Sequence, residues 1–133
     1  MIDPFRYIPP TDVTAPKHDA VNAAHAECAD RFSHVLTGTP WLGDYAGHYD
    51  ARVAHEAITD AARAFFDVVR EHAPPSTDRS AAERCIRLAR MNANEAIRSS
   101  DAATSADAVR RALDNLAEAR LQANAAIALG GEA

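Results

Sequence analysis

The stretch from Pro74 to Ser80 concentrates hydroxyl and guanidinium groups in this 133-residue sequence. At the predicted start of a helix, hydroxyls come from Ser76, Thr77 and Ser80, and a charged guanidinium group comes from Arg79. The free backbone N–H groups at a helix N-terminus favour anions, phosphate above all. Capping of the helix by Ser76 or Thr77 is the alternative interpretation. The stretch therefore predicts either a phosphate contact or a plain helix cap.

Arginine supplies 13 of the 14 basic residues, and Lys17 is the other one. Arginine suits planar, two-point contacts with phosphate, although a GC-rich coding sequence would also enrich it. Arg90 and Arg120 lie at the edge of apolar stripes, where they could line an interface pocket or extend their stems over the stripe. Asn94 and Asn124 are expected to form hydrogen bonds between helices.

Residues that would support catalysis or bind a metal ion are sparse. His18, His25 and Cys28 fall on neighbouring helical turns, but the sequence suggests no fourth ligand. His55-Glu56 lacks the second histidine of a zinc protease motif, and there is no glycine-rich phosphate loop. No nucleophile with a matching base is recognisable. We therefore expect a protein without enzymatic activity and without a cofactor.

Charge is unevenly distributed along the chain, whose net charge is −5. Residues 1–69 carry five basic and ten acidic side chains, and residues 70–133 carry nine of each. This balance argues against binding of long DNA or RNA, which requires a basic face. With no long apolar run and no signal peptide, we expect a cytosolic protein that avoids membranes and keeps Cys28 and Cys85 reduced.

Alanine supplies 31 residues, while Ile, Leu, Val, Met, Phe, Trp and Tyr together supply 30. Because alanine is the strongest helix former and no strand-like alternation occurs, an all-α fold is predicted. The chain is long enough for one domain, residues 1–133. It is expected to contain an extended arm over residues 1–16 and helices over about 16–36, 49–72, 77–98 and 105–129. The architecture would be a four-helix bundle or two nested helical hairpins.

Apolar residues at helical spacing mark one face of each predicted helix, which is expected to pack into the core. These residues are Val21, Ala24, Cys28, Phe32 and Val35 in the first helix, Ala54, Ile58, Ala61, Phe65, Val68 and Val69 in the second, Ala82, Ile86, Ala89, Ala93 and Ile97 in the third, and Val109, Leu113, Leu116, Ala123 and Ile127 in the fourth.

The third and fourth helices repeat one another at a distance of thirty residues. Residues 89–97 and 119–127 share the pattern A-R-φ-[NQ]-A-N-x-A-I, where φ is Met or Leu. The shared Arg, Asn and Ile indicate an internal repeat rather than the chance recurrence of alanine.

Three segments carry a resemblance to a known family. The first has two parts, Phe5-Arg6-Tyr7-Ile8-Pro9-Pro10 and, further along the chain, His18-Asp19-Ala20-Val21. The second is His55-Glu56-Ala57-Ile58. The third starts at Pro74-Pro75-Ser76 and ends with Met91-Asn92-Ala93-Asn94-Glu95-Ala96-Ile97. Together they resemble the phage anti-CBASS nucleotide-sponge proteins, which are related in role to the Thoeris anti-defence sponges.

The resemblance implies a helical, non-enzymatic protein that sequesters cyclic oligonucleotides or cyclic ADP-ribose variants in the cytosol of an infected host cell. Members of the family assemble as hexamers of helical hairpins. Here the first and fourth helices resemble one family hairpin, and the second and third resemble another nested inside it. A homo-oligomer, either a trimer or a hexamer, is therefore expected.

The resemblance also implies which residues contact the messenger. Tyr7 would stack on a base, whereas the family's phosphate-binding basic residue falls on the neutral Asn22 and Thr59, with Lys17 and Arg63 as the nearest substitutes. An oligomerisation or adaptor protein without a small ligand is the main alternative function, and a small nucleotide hydrolase is a more distant one. The full set of predicted ligand contacts is Tyr7, Pro9, Lys17, Ser76, Thr77, Arg79, Ser80 and Arg90.

Overall fold

Four helices account for nearly all of the protein described by the computed structural model, which covers residues 14–37, 51–99 and 101–130. They are α1 (Ala15–Thr37), α2 (Ala51–His72), α3 (Thr77–Arg98) and α4 (Ala102–Gly130). The described ranges contain no strand, so the predicted all-α fold with four helices is confirmed. The predicted arm lies outside these ranges except at its end, where residues 15 and 16 already belong to α1. None of the four helices is both long and apolar enough to cross a membrane.

Polar side chains and a proline define where α1 and α3 begin. The first residue of α1 directly follows Thr14, whose carbonyl accepts the His18 amide at 3.0 Å, and Pro16 occupies the first turn as predicted. In α3 the N-cap is Ser76, whose hydroxyl accepts the Arg79 amide at 3.1 Å.

The start of α4 differs from the prediction, because the helix begins at Ala102 rather than near residue 105. Asp101 is the reason, since its carboxylate accepts the Thr104 amide at 2.8 Å and the Thr104 hydroxyl at 2.5 Å. These hydrogen bonds lower the pKa of Asp101 below its ordinary value. An aspartate cap therefore extends α4 by one turn at its N-terminus.

The helices form an up-down-up-down bundle in which sequential neighbours are antiparallel. His18 near the start of α1 contacts Asn124 near the end of α4, and His55 near the start of α2 contacts Asn94 near the end of α3. Three-to-four-residue connections join α2 to α3 and α3 to α4. At the end of the bundle where α4 finishes, a Cβ atom on Gly130 would overlap the Pro74 ring, so only glycine permits this close approach.

The core is a single cluster of buried side chains from all four helices. Its aromatic residues are Phe32 from α1 and Phe65 from α2, and neither is exposed to solvent. Cys28 is also buried, whereas Cys85 is only partly buried, and both are free thiols. The largest buried aliphatic side chains are Ile58, Ile86, Leu116, Ile127, Val21, Val35 and Val69.

The predicted apolar stripe of α4 is only partly right in its first half, since Leu113 packs against the core cluster but Val109 is not part of it. Val109 and Leu113 are only partly buried, whereas Ala108 and Ala112 are fully buried. The helices α3 and α4 pack more closely than any other pair, because alanines dominate the buried faces of both. Close packing selects the smaller side chains for the seam between α3 and α4, and the larger Val109 and Leu113 are left at its edge.

Candidate functional site

Three arginines line a surface groove between α2 and α3, which we call the α2/α3 groove. Its volume is about 200 Å³, and the side chains of Ala62 and Ile86 contribute its buried portion. The α2 residues that line it recur at spacings of three and four, and so they share one side of that helix. The complete lining consists of Thr59, Ala62, Arg63, Phe66, Ile86, Arg87 and Arg90.

Arg63, Arg87 and Arg90 are exposed and have no carboxylate within ion-pairing distance in the described ranges. Several other arginines of the bundle do pair with a carboxylate; for example, Arg79 lies 3.3 Å from Glu83. Because a guanidinium group stays protonated at any physiological pH, the groove carries three positive charges that form no ion pair with a carboxylate of the described ranges. Such an arrangement favours an anionic ligand that can accept several N–H hydrogen bonds.

The aromatic ring of Phe66 forms one wall of the groove and contacts two guanidinium groups. The Cζ atom of Arg87 lies 5.5 Å from the ring centroid, and that of Arg70 lies 5.7 Å from it. Cation–π contacts of this kind restrain an arginine without neutralising its charge. Phe66 therefore holds Arg87 beside the groove as a charged group.

At the start of α3, two of the four residues predicted to bind phosphate, Ser76 and Arg79, have partners within the protein. The Ser76 hydroxyl donates to the Pro74 carbonyl and accepts the Arg79 amide, both at 3.1 Å. Arg79 donates from Nη1 to the Ala73 carbonyl at 3.4 Å, and its Nε lies 3.3 Å from Glu83. These contacts support the capping interpretation of this stretch.

Glu83 connects the start of α3 to the groove. Its carboxylate lies 3.3 Å from Arg79 and 3.9 Å from Arg70, and only 15% of its side chain is exposed. Arg70 in turn contacts Phe66. These contacts place the Glu83 carboxylate at one end of the groove. The basic region of the groove therefore consists of Arg63, Arg87 and Arg90.

The predicted ligand contacts divide into those that line the groove and those that do not. Arg90 lines it, and so does Arg63, which the sequence offered only as a substitute for the family's basic residue. Lys17 is exposed in the first turn of α1. Thr77 and Ser80 lie in the first turn of α3 and do not line the groove.

Two groove residues, Arg87 and Phe66, are absent from the predicted set. The available signal was spacing, because Arg87 precedes Arg90 by three residues and Phe66 follows Arg63 by three. Each pair therefore occupies one helix face. The remaining predicted contacts, Tyr7 and Pro9, lie outside the described residues.

The other two helices carry an equivalent set of residue positions between α1 and α4, and we call this set of positions the α1/α4 groove. The equivalence rests on matched contacts: His55 Nδ1 lies 2.7 Å from Asn94 Oδ1, and His18 Nδ1 lies 2.9 Å from Asn124 Oδ1. This pattern is what a nested repeat would produce, and it confirms that both asparagines bond between helices. Most of the groove residues differ: Asn22 replaces Thr59, Ala26 replaces Arg63, Ala29 replaces Phe66, Ala117 replaces Arg87, and Arg120 alone matches Arg90.

The polar groups at the α1/α4 groove positions bond to each other or are partly buried. The Nδ2 of Asn124 donates to the side-chain oxygen Oδ1 of Asn22 at 2.9 Å, and the Nε of Arg120 is buried without an acceptor in the described ranges. Burial, and to a smaller extent Arg120, lowers the pKa of His25, whose ring centroid lies 5.9 Å from that of Phe65. Because a lowered pKa keeps His25 neutral at physiological pH, Arg120 is the one charged side chain at these equivalent positions.

The residues of the alternative metal set are used in other ways. His18 bonds to Asn124, His25 packs against Phe65, and Cys28 is buried. Burial raises the pKa of the Cys28 thiol to about 12, which disfavours the thiolate that a metal ion requires. Within the described ranges, no group of three or more His, Cys, Asp or Glu side chains is arranged to hold a metal ion.

Comparisons with known protein families, with curated proteins and with solved structures find no match to this chain. The groove geometry and the family resemblance of the sequence are therefore the two sources from which a function can be proposed.

Proposed function

We propose that this protein binds a cyclic nucleotide immune messenger in the α2/α3 groove and sequesters it without converting it. The observation that carries the proposal is the cluster of Arg63, Arg87 and Arg90, three arginines without carboxylate partners around an aromatic wall. The resemblance to phage nucleotide sponges narrows the anion to cyclic di- or trinucleotides or cyclic ADP-ribose variants. The setting would be the cytosol of an infected host cell.

Each component of such a ligand has a chemical counterpart in or near the groove. Guanidinium groups bind phosphate oxygens in two-point, charge-assisted contacts. A guanidinium plane or an aromatic ring also stacks on nucleobases, as Arg87 and Phe66 could and as the resemblance implies for Tyr7. Thr59 adds a partly buried hydroxyl in the groove.

The size of the groove indicates that one bundle encloses only part of the ligand. Sites for small molecules typically measure about 300–1,000 Å³, and this groove measures about 200 Å³. Such a groove has space for a phosphate with part of its nucleoside. The rest of the ligand would be covered by the arm that carries Tyr7 and Pro9, or by another chain of the expected trimer or hexamer.

A stoichiometric mechanism suits the composition of the groove. Its only ionisable side chains are arginines, which do not exchange protons near neutral pH and so make poor general bases. Binding would lower the free concentration of the messenger below the level that its effector needs. The ligand would be released intact when the protein unfolds.

The test is a calorimetric titration with cyclic dinucleotides, cyclic trinucleotides and cyclic ADP-ribose isomers. Each bound ligand is then recovered by heat denaturation and identified by chromatography. We expect one class to bind and to be recovered unchanged. Arg90→Ala should weaken binding at least tenfold, whereas Arg120→Ala, the matched change in the α1/α4 groove, should leave affinity unchanged.

An altered ligand after recovery would indicate an enzyme instead of a sponge. Equal losses in the Arg90 and Arg120 variants would remove the α2/α3 groove as the binding site. The absence of binding to all three ligand classes would contradict the proposal.

The exposed apolar residues favour the second candidate function, an oligomerisation or adaptor protein. Met91 is 59% exposed and Leu121 is 55% exposed, although both are large and apolar. They occupy the same position of the repeated pattern. Outward apolar side chains that recur in this way are typical of a surface that contacts another protein. This function would apply if no nucleotide binds.

A further inference from the structure

The outer face of α2 carries an acidic ridge formed by Glu56, Asp60 and Asp67. All three side chains are exposed, and in the described part of the chain no basic group lies within ion-pairing distance of them. Their spacings of four and seven residues keep them on one face of the helix. The ridge therefore presents three carboxylates without an intramolecular partner.

The outer face of α3 carries a basic ridge formed by Arg84 and Arg98. These side chains are exposed and have no carboxylate partner within the described residues. Two large apolar side chains accompany them, Leu88 at 41% exposure and Met91 at 59%. The combination of unpaired charge and exposed apolar surface is typical of an interface.

The two ridges lie at matching heights on either side of the α2/α3 groove. The contacts of His55 with Asn94 and of Arg70 with Glu83 fix the register of the antiparallel helices. In that register Asp67 is level with Arg84.

The same register brings Asp60 level with Met91, and Glu56 towards Arg98. The ridges do not pair with each other because they flank the groove and point away from the bundle.

We propose that a second copy of this chain docks face to face on α2 and α3. A two-fold axis parallel to the helices would place the acidic ridge of each copy opposite the basic ridge of the other. Opposite charges would then meet at two symmetry-related places in the contact. An axis perpendicular to the helices would instead bring like charges together. Leu88 and Met91 would be covered by the same contact.

This contact has a consequence for the groove and for the number of chains. The two grooves face each other across the axis, and their arginines repel unless an anion lies between them. Inorganic phosphate should therefore strengthen the association. A two-fold contact also fits a hexamer, in which it can join trimers, but not a trimer with three-fold contacts alone.

Charge reversal tests the proposal, with particle mass measured by light scattering after size-exclusion chromatography in phosphate buffer without nucleotide. One variant carries Asp60→Arg and Asp67→Arg, and the other carries Arg84→Glu and Arg98→Glu. None of these four residues lines the groove. The wild-type protein should have twice the 14.3 kDa chain mass or an even multiple of it.

Each variant alone should lose the two-fold contact and show half the wild-type mass. A mixture of the two should regain the wild-type mass as a hetero-complex, because opposite charges then meet at both halves of the contact. A single chain with all four substitutions should regain it as well. Asp19→Arg with Asp114→Arg, a matched reversal on α1 and α4, should leave the mass unchanged.

A wild-type protein that stays monomeric in phosphate would overturn the proposal. Reversal variants that keep the wild-type mass, or a mixture that fails to associate, would do the same. Circular dichroism checks that each variant is folded. Because no nucleotide is present, these outcomes are independent of whether the protein binds a messenger.

Discussion

The two hairpins of this bundle share an internal skeleton but differ in their outer surfaces. In both, a histidine near the start of one helix bonds to an asparagine near the end of the other, His55 to Asn94 and His18 to Asn124. Three charged or aromatic residues of the α2/α3 groove are nevertheless alanines in the α1/α4 groove. The contacts that hold the helices together are alike in both halves, whereas the basic groove is present in only one.

The core shows a second kind of difference between the halves. Phe65 in α2 corresponds to Cys28 in α1, and Phe32 in α1 corresponds to Val69 in α2. All four side chains are buried. Large and small residues thus alternate between equivalent positions, which lets the two halves interdigitate at the density expected of a protein interior.

The largest expected effect comes from removing one of these core aromatics. Phe65→Ala should lower the free energy of unfolding by about 3–5 kcal/mol, because it leaves a cavity that its neighbours cannot fill. Cys28→Ala, at the equivalent position of the other half, should cost about 1 kcal/mol. Urea unfolding measures both values, and Phe66→Ala on the groove wall serves as a matched control with a smaller loss. A similar loss at positions 28 and 65 would contradict the alternation.

The helix ends of the first three helices were predictable because local signals define them. Pro16, Ser76 and the proline pair after α2 act within one turn of the chain, and the predicted ends lie within two residues of the observed ones. The first half of α4 was not predictable in this way. Val109 and Leu113 are more hydrophobic than alanine, so the sequence pattern favours them as core residues. The close approach of α3 is a tertiary contact, and it selects the smaller alanines for the buried face instead.

The candidate site was only partly predictable for a similar reason. Arg90 and Arg63 were recognised from a repeat and from a family position, each within one helix. The pairing of Arg87 with Phe66 joins α2 to α3 and depends on the register of these helices. That register is set by contacts such as His55 with Asn94, which no local pattern specifies.

The second prediction transfers the basic groove to the other half of the bundle. Ala26→Arg with Ala117→Arg adds at the α1/α4 groove the two arginines that it lacks, since Arg120 already matches Arg90. Each charge-assisted hydrogen bond contributes about 1.5–3 kcal/mol, so a second binding event per chain should appear in calorimetric titration with the bound nucleotide. Arg120→Ala in the same background should remove it. An unchanged stoichiometry would mean that the arginines alone do not account for the difference between the halves.

The third prediction concerns the matched histidine contacts, which are alike in geometry but differ in their surroundings. His55→Ala leaves the side-chain oxygen Oδ1 of Asn94 without its partner and should cost about 1–2 kcal/mol. His18→Ala should cost less, because the Nδ2 of Asn124 keeps its hydrogen bond to Asn22 and still holds this side chain in place. Thermal unfolding of the two variants gives the comparison. A larger loss for His18→Ala would show that the Asn22 contact does not compensate.

The smallest expected effect is a pH dependence that His25 contributes in the α1/α4 half. His25 has a lowered pKa, chiefly because of burial and further because of Arg120, while its equivalent in the other half, Ala62, does not titrate. In the unfolded chain the imidazole takes up its proton near the ordinary pKa of 6.5, whereas the folded protein resists protonation to lower pH. Stability from this residue is therefore complete above pH 6.5 and is lost as the pH falls towards the folded-state pKa.

The His25→Gln variant should remove the contribution of His25 to the pH dependence of stability. The difference in free energy of unfolding between this variant and the wild type should therefore change with pH below 6.5 and be constant above it. Arg120→Gln should give a weaker version of the same change, because burial still lowers the pKa of His25. Urea unfolding over this pH range gives the stabilities, and NMR titration of His25 gives its pKa directly. A pKa at or above the ordinary value would show that the imidazole takes up its proton as readily in the folded protein as in the unfolded chain. Arg120 would then face a histidine that becomes charged, and at mildly acidic pH it would no longer be the one charged side chain of the α1/α4 groove.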